Sequence, residues 1–158
     1  MSSNFEALRG HRMIDSEIDR LLVEEGVGVL SLADGGVPYG VALSFGYDGD
    51  DRLYFVFVGH SDEGRKVTYA ERSEAASFLA YDLESRDEWR SVVVEGPLRR
   101  IDPDEWDAAR EAMADNAFRP QLLTGVDVRR NPRVWALTAE ERSGRAVGTA
   151  ADQSGVTE

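Results

Sequence analysis

Ser61, Gly64, Arg65 and Lys66 form the segment of this sequence best suited to chemistry, and that chemistry is anion binding. Glycine lets a ligand approach the backbone, serine donates a hydroxyl proton, and arginine and lysine supply charge-assisted bonds. The segment stands where an apolar strand should give way to a helix, whose first N–H groups have no partner of their own. Such a place suits a phosphate. Lys66 stands out further because every other cationic residue of the chain is arginine. An ordinary polar loop with solvated cations accounts for the same residues, so the local pattern leaves both readings open.

His60 precedes this segment and could serve as acid, base or ligand. The only other histidine, His11, is remote in sequence, and a multi-histidine metal centre is not expected. Cysteine is absent, which excludes disulfides, thiolate zinc sites, cysteine-ligated iron–sulfur clusters and cysteine nucleophiles. Any redox work must then come from a bound group. Ser31, Ser44, Ser61 and Ser91 stand in no G-x-S-x-G context, and no G-x-G-x-x-G opens a βαβ unit. No pair of carboxylates has convincing spacing, so no general acid or base is nominated. Trp89, Trp106 and Trp135 suit a core or an interface, and Trp135 could also stack on a planar cofactor.

The charge balance narrows the partners. The 158 residues hold 30 acidic and 18 basic side chains, a net charge of −12. A field this negative argues against nucleic acid and against anionic membranes. It reads either as a solvated, highly soluble surface or as an adaptation to concentrated salt. Depleted lysine with abundant Asp, Glu, Ala, Val and Gly resembles proteins of halophilic archaea. No apolar run is long enough for a membrane helix, and the opening MSSNFEALRGH has no apolar core, so a cytoplasmic protein is expected.

The elements that must position these residues follow from periodicity. Residues 13–26 read as an amphipathic helix with Ile14, Ile18, Leu21 and Leu22 on one stripe. Ser16 and Asp19 could form its capping box, and Gly26 its stop. Strands are expected at 27–33, 37–47 and 52–58, joined by the turns Asp34-Gly35-Gly36 and Asp48-Gly49-Asp50. The third is apolar on both faces and should be central. A polar loop at 59–66 should feed a short helix that runs to about Glu71, then strands at 74–82 and 89–101 with 83–88 as a loop. Asp102, Pro103 and Glu105 announce a helix carrying Trp106, Ala109, Met113 and Ala117 on one side. Residues 133–139 are the last strand. Turns too short for crossover helices make strands one to three an antiparallel meander and exclude a Rossmann arrangement. A mainly β, six-stranded antiparallel sheet with short flanking helices should curl into a small barrel.

The succession GVLSLADGGVPYGVALSFGYDGDDRLYFVFVG, then EGRK, then WRSVVVEGPLRRI resembles the pyridoxamine 5′-phosphate oxidase-like superfamily, nearest to archaeal flavin-nucleotide-binding members related to nitroimidazole-resistance proteins. The resemblance implies an FMN-binding split β-barrel over 14–147, with a lead at 1–13 and a flexible tail at 148–158. It implies a homodimer with flavin sites at the subunit interface and a small-molecule substrate. It places Leu43 and Ser44 along the isoalloxazine ring, and Tyr54 and Phe55 beneath or beside it. Ser61, Arg65 and Lys66 would grip the flavin phosphate. Arg90, Ser91 and Val92 would approach the cofactor, and Trp135 with a Ser143-Gly144-Arg145 turn would close over it.

Two departures limit the resemblance. Where many relatives carry a histidine near the end of the third strand, this chain has Phe57-Val58-Gly59, with His60 displaced into the loop. The C-terminal arginine- and histidine-containing substrate motif of true pyridoxamine 5′-phosphate oxidases is also missing, so vitamin B6 oxidation is not implied. The expected function is an FMN-dependent oxidoreductase. The competitors are a flavin-binding protein without turnover, an F420-binding barrel, a haem-binding barrel using His60 or His11, and an interaction barrel with an empty cleft.

Overall fold

Two consecutive glycines set the first hairpin. Strands β2 (Val27–Asp34) and β3 (Val37–Ser44) pair from Val27 with Ser44 to Asp34 with Val37. Gly35 and Gly36 between them have φ of 56° and 82°, the left-handed geometry that a two-residue loop demands. The structure, a computed structural model, describes residues 8–57, 64–114 and 133–148. The second expected strand ends at Ser44, and β4 (Gly46–Tyr47) turns away to pair with β5 (Arg52–Phe57). The Asp48 carboxylate closes that turn by accepting from the N–H groups of Asp50, Asp51 and Arg52 at 2.8–3.0 Å. Leu53 to Phe57 are all buried, as a central strand requires.

Strands β6 (Ala75–Ser85) and β7 (Glu88–Arg100) form a long hairpin that absorbs the expected 83–88 loop almost entirely. Strand β7 pairs first with β9 (Glu141–Val147) and then with β8 (Arg133–Thr138). Gly96 marks the passage between them, where a Cβ would collide with the carbonyl oxygen of Thr138. The sheet runs β3-β2-β6-β7-β8-β5-β4, with β9 against both β7 and β1 (His11–Arg12). It is a mainly β, curled antiparallel half-barrel, of nine strands rather than six. The additional pieces are β1, the severed β4 and β9, which the sequence reading took as a turn.

Helix α1 (Asp15–Glu24) is capped by Ile14, whose N–H donates to Glu17 at 3.0 Å, so the capping acid is Glu17 and not Asp19. Helix α2 (Arg65–Arg72) follows Gly64. A 3₁₀ turn at Pro103–Glu105 opens helix α3 (Trp106–Met113), and Ala117 lies outside the described residues. Of the proposed tail, 149–158 are likewise outside them.

Strand alternation separates two faces. The row Val41–Leu30–Phe78–Val94–Arg142 faces inward, and the adjacent row Ala42–Val29–Leu79–Val93–Ser143 faces outward. The main core fills the inward side with Phe45, Phe55, Phe57, Phe78 and Trp135, closed by Leu21 of α1 and Val67 of α2. A second core lies behind β5 and β8, where Tyr54, Val56, Val134 and Ala136 meet Ala109 and Met113 of α3. Among the described residues, no helix is long and apolar enough to cross a membrane.

Candidate functional site

The start of α2 is built on aromatic rings. The Arg65 guanidinium carbon lies 5.4 Å from the ring centre of Tyr39 on β3, and Tyr39 packs on Tyr69 at 5.1 Å. One residue on, Lys66 Nζ stands 5.7 Å above Phe57 at the end of β5. Phe57 in turn contacts Trp135 of β8, with ring centres 5.9 Å apart. Both cations are within the ≈ 6 Å reach of a cation–π contact. The first turn of α2 holds no acidic residue, and neither Arg65 nor Lys66 makes an ion pair among the described residues. In so acidic a chain, two adjacent cations that meet no carboxylate among the described residues form a place for an anion. The free N–H groups of the helix start point the same way.

Other cations are bound to carboxylates. Arg142 of β9 donates to Asp19 at 2.6 Å and to the Tyr47 hydroxyl at 3.1 Å, and Asp15 lies 3.3 Å away. The Tyr47 hydroxyl donates to the same Asp19 oxygen at 2.6 Å. Burial draws the Asp19 carboxyl upward, but the hydrogen bonds from Arg142 and Tyr47 outweigh it and hold the group below its ordinary value. Burial, then the bond to Asp19, pushes the Tyr47 phenol well above its ordinary value. Arg90 of β7 is clasped by Glu24 at 3.1 Å and Asp82 at 3.0 Å. Beside them Glu25 is raised, by burial first and by the Asp82 charge second.

These contacts and registers distribute the expected site residues. Lys66, Phe55 and Trp135 gather on the inward side around Phe57, whereas Arg65 is exposed and lies over Tyr39. Leu43 shares that side, opposite Gly28, whereas Ser44 opposite Val27 faces outward. Tyr54 points away from Phe55 into the second core. Arg90 and Val92 face inward, the latter fully buried, while Ser91 faces outward between Tyr81 and Arg145. Arg145 lies on strand β9, not in a turn, and reaches the carbonyl of Gly10 at 3.4 Å. Ser61 and His60 lie outside the described residues. His11 stands 3.5 Å from Glu17.

One residue was missed by the sequence reading. Arg133 opens β8 directly opposite Phe57 and is 3% exposed. Its signal was an arginine at the head of the otherwise apolar run R-V-W-A-L-T. Trp135, also buried, keeps its indole N–H without a hydrogen-bond partner, an unspent donor beside the cationic cluster. A cavity of about 450 Å³ between α1, β4 and α3 is lined by Glu25, Asp48 and Glu111 and, among the described residues, by no cation, which does not suit a phosphate. Among the described residues no group of His, Asp and Glu could hold a metal ion.

Known proteins share this architecture. The family model described as pyridoxamine 5′-phosphate oxidase matches residues 15–146. A FAD-binding protein from Mesorhizobium loti superposes with a TM-score of 0.67 at 22% identity, covering 87% of this chain and 98% of that one. A candidate 5-nitroimidazole antibiotic resistance protein from Bacteroides thetaiotaomicron superposes with a TM-score of 0.69 at 19% identity, covering 86% of each chain. At these identities the likeness is one of fold. A curated relative, imidazole glycerol phosphate synthase subunit HisF of Beutenbergia cavernae, is 29% identical over 126 residues, 80% of this chain and 48% of its own. The chain thus spans about half the length of that relative.

Proposed function

The chain belongs to the pyridoxamine 5′-phosphate oxidase-like family, and from that premise we propose that it is a flavin-binding protein holding FMN non-covalently. The observation that carries this reading is the start of α2, where Arg65 and Lys66 rest on aromatic rings and meet no carboxylate among the described residues. The donor set fits a phosphate monoester. Lys66 supplies the inner charge, Arg65 the outer one, and the helix N–H groups the remaining donors. Ser61 adds a hydroxyl on the strength of the resemblance. The Trp135 indole N–H is a further donor for the cofactor's polar atoms.

Bound FMN supplies two-electron redox chemistry toward a small molecule. The chain's part is to hold the phosphate, place the ring and direct donors at it. FAD is the competing ligand, because the Mesorhizobium loti relative is a FAD-binding protein. A homodimer belongs to the same reading. The outward sheet face carries Val27, Tyr81 and Leu83 at 39%, 44% and 67% exposure, and Ser91 and Arg145 lie on that face. A second copy docked there would cover apolar surface and bring Ser91 and Arg145 to a shared site.

The test is direct. The purified protein is denatured, and the absorbance, fluorescence and phosphate content of the released material are recorded. FMN in the supernatant supports the reading, and FAD would shift it to the dinucleotide. Release of haem or F420 would replace the flavin, as would a protein that neither carries flavin nor takes up added FMN.

A further inference from the structure

Arg65 and Lys66 are two cations set in the field of a chain whose net charge is −12. The nearest acids on their own helix and just beyond it can be named. Glu71 stands six residues past Arg65 on α2, hence about 9 Å along the axis at 1.5 Å per residue. Glu74 follows two residues beyond the helix. Neither makes an ion pair among the described residues, whereas Asp34 is neutralised by Arg72 at 2.8 Å. A phosphate at the start of α2 would therefore meet two opposed effects of different range. Attraction to Lys66 and Arg65 acts at contact distance, where little electrolyte intervenes. Repulsion from Glu71, Glu74 and the rest of the acidic surface acts across water. Its reach follows the Debye length, about 30 Å at 0.01 M salt and about 3 Å at 1 M.

We propose that this acidic surface sets the charge selectivity of the site, so that the flavin phosphate binds more tightly as ionic strength rises while neutral riboflavin is indifferent to it. An anion meeting a net cationic surface shows the opposite sign. The inference rests on the flavin reading and concerns the same site. At low salt a carboxylate about 10 Å from a doubly charged phosphate weakens its binding about twofold to threefold. Glu71, Glu74 and the more distant acids together give an expected change of about tenfold.

The experiment titrates the flavin-free full chain with FMN and with riboflavin, following flavin fluorescence from about 0.02 M to about 1 M sodium chloride. Circular dichroism at each salt confirms that the fold is constant. The Kd for FMN should fall about tenfold over this range, and that for riboflavin should stay within about twofold. The double variant Glu71→Gln with Glu74→Gln should bind FMN about fourfold more tightly than the parent at low salt and equally at high salt. FMN binding that weakens with salt would overturn the proposal, as would riboflavin following FMN or a double variant identical to the parent at low salt. Failure of both FMN and riboflavin to bind at any salt would instead overturn the flavin reading itself.

Discussion

The arginines at one end of the sheet and the cations at the start of α2 live under different rules. Arg142 and Arg90 are each held by two carboxylates, and Tyr47 adds a hydroxyl to the Arg142 group. Arg65 and Lys66 lean on Tyr39 and Phe57 instead. The carboxylate-bound cations tie α1 to the strands, Arg142 from β9 and Arg90 from β7, and their charge is spent within the fold. The ring-supported cations make no ion pair among the described residues, where their charge remains available to a ligand. In a chain with a large surplus of acids, it is the company a cation keeps that separates structure from binding.

That division predicts opposite phenotypes. Arg142→Met should remove about 2–3 kcal/mol of stability, because it deprives partly exposed Asp19 and buried Tyr47 of charge-assisted hydrogen bonds. Urea denaturation measures this, and FMN affinity per folded molecule should not change. A loss under about 0.5 kcal/mol would place Arg142 among ordinary surface cations. Lys66→Ala should do the reverse, weakening FMN about tenfold or more while leaving riboflavin and the urea midpoint nearly unchanged. Equal losses for FMN and riboflavin would contradict the phosphate role. Tyr47→Phe should cost about 1–2 kcal/mol through the bond to Asp19, again without effect on the flavin.

The pH dependence sharpens the same contrast within one end of the molecule. Asp19 has a folded value below its ordinary 3.8. Its contribution to stability is therefore full above that ordinary value and is lost as pH falls through the folded one. Arg142→Met should flatten this acid limb. Glu25 has the opposite sign, since its folded value is raised above the ordinary 4.5. It destabilises the fold at neutral pH, and the cost disappears as pH falls through the raised value. Glu25→Gln should then add about 0.5 kcal/mol at pH 7 and nothing in acid, read from urea midpoints at the two pH values.

Much of this was visible in the residues alone. Central β5 was legible because five consecutive apolar residues admit only a strand covered on both faces, and the β2–β3 hairpin because two adjacent glycines permit only a tight turn. A short helix after Gly64 was legible, but Arg65 and Lys66 were read as loop and instead form the first turn of α2. Strand β9 was not. Ser143-Gly144-Arg145 carries turn chemistry, and the strand exists because β7 and β1 pair with it. Gly144 is needed there for packing, since a Cβ would lie 2.6 Å from the Met13 sulfur. Capping by Glu17 was obscured because adjacent acids offer two frames for the same motif. Resemblance located strands but not faces, so neighbours such as Tyr54 and Phe55, or Arg90 and Ser91, were grouped although successive strand residues point apart.

The bond between Arg142 and Asp19 joins residues 123 positions apart. Ribosomes add about 5–20 residues per second, so about 6–25 s separate the making of the two partners. Through that interval Asp19 and Tyr47 wait without their arginine, and β1 without β9. Helix α1 can thus be fully closed onto the sheet only after β9 has been made. A chain stalled before Arg142 would expose an unfinished seam, a state that chaperones and proteases could recognise.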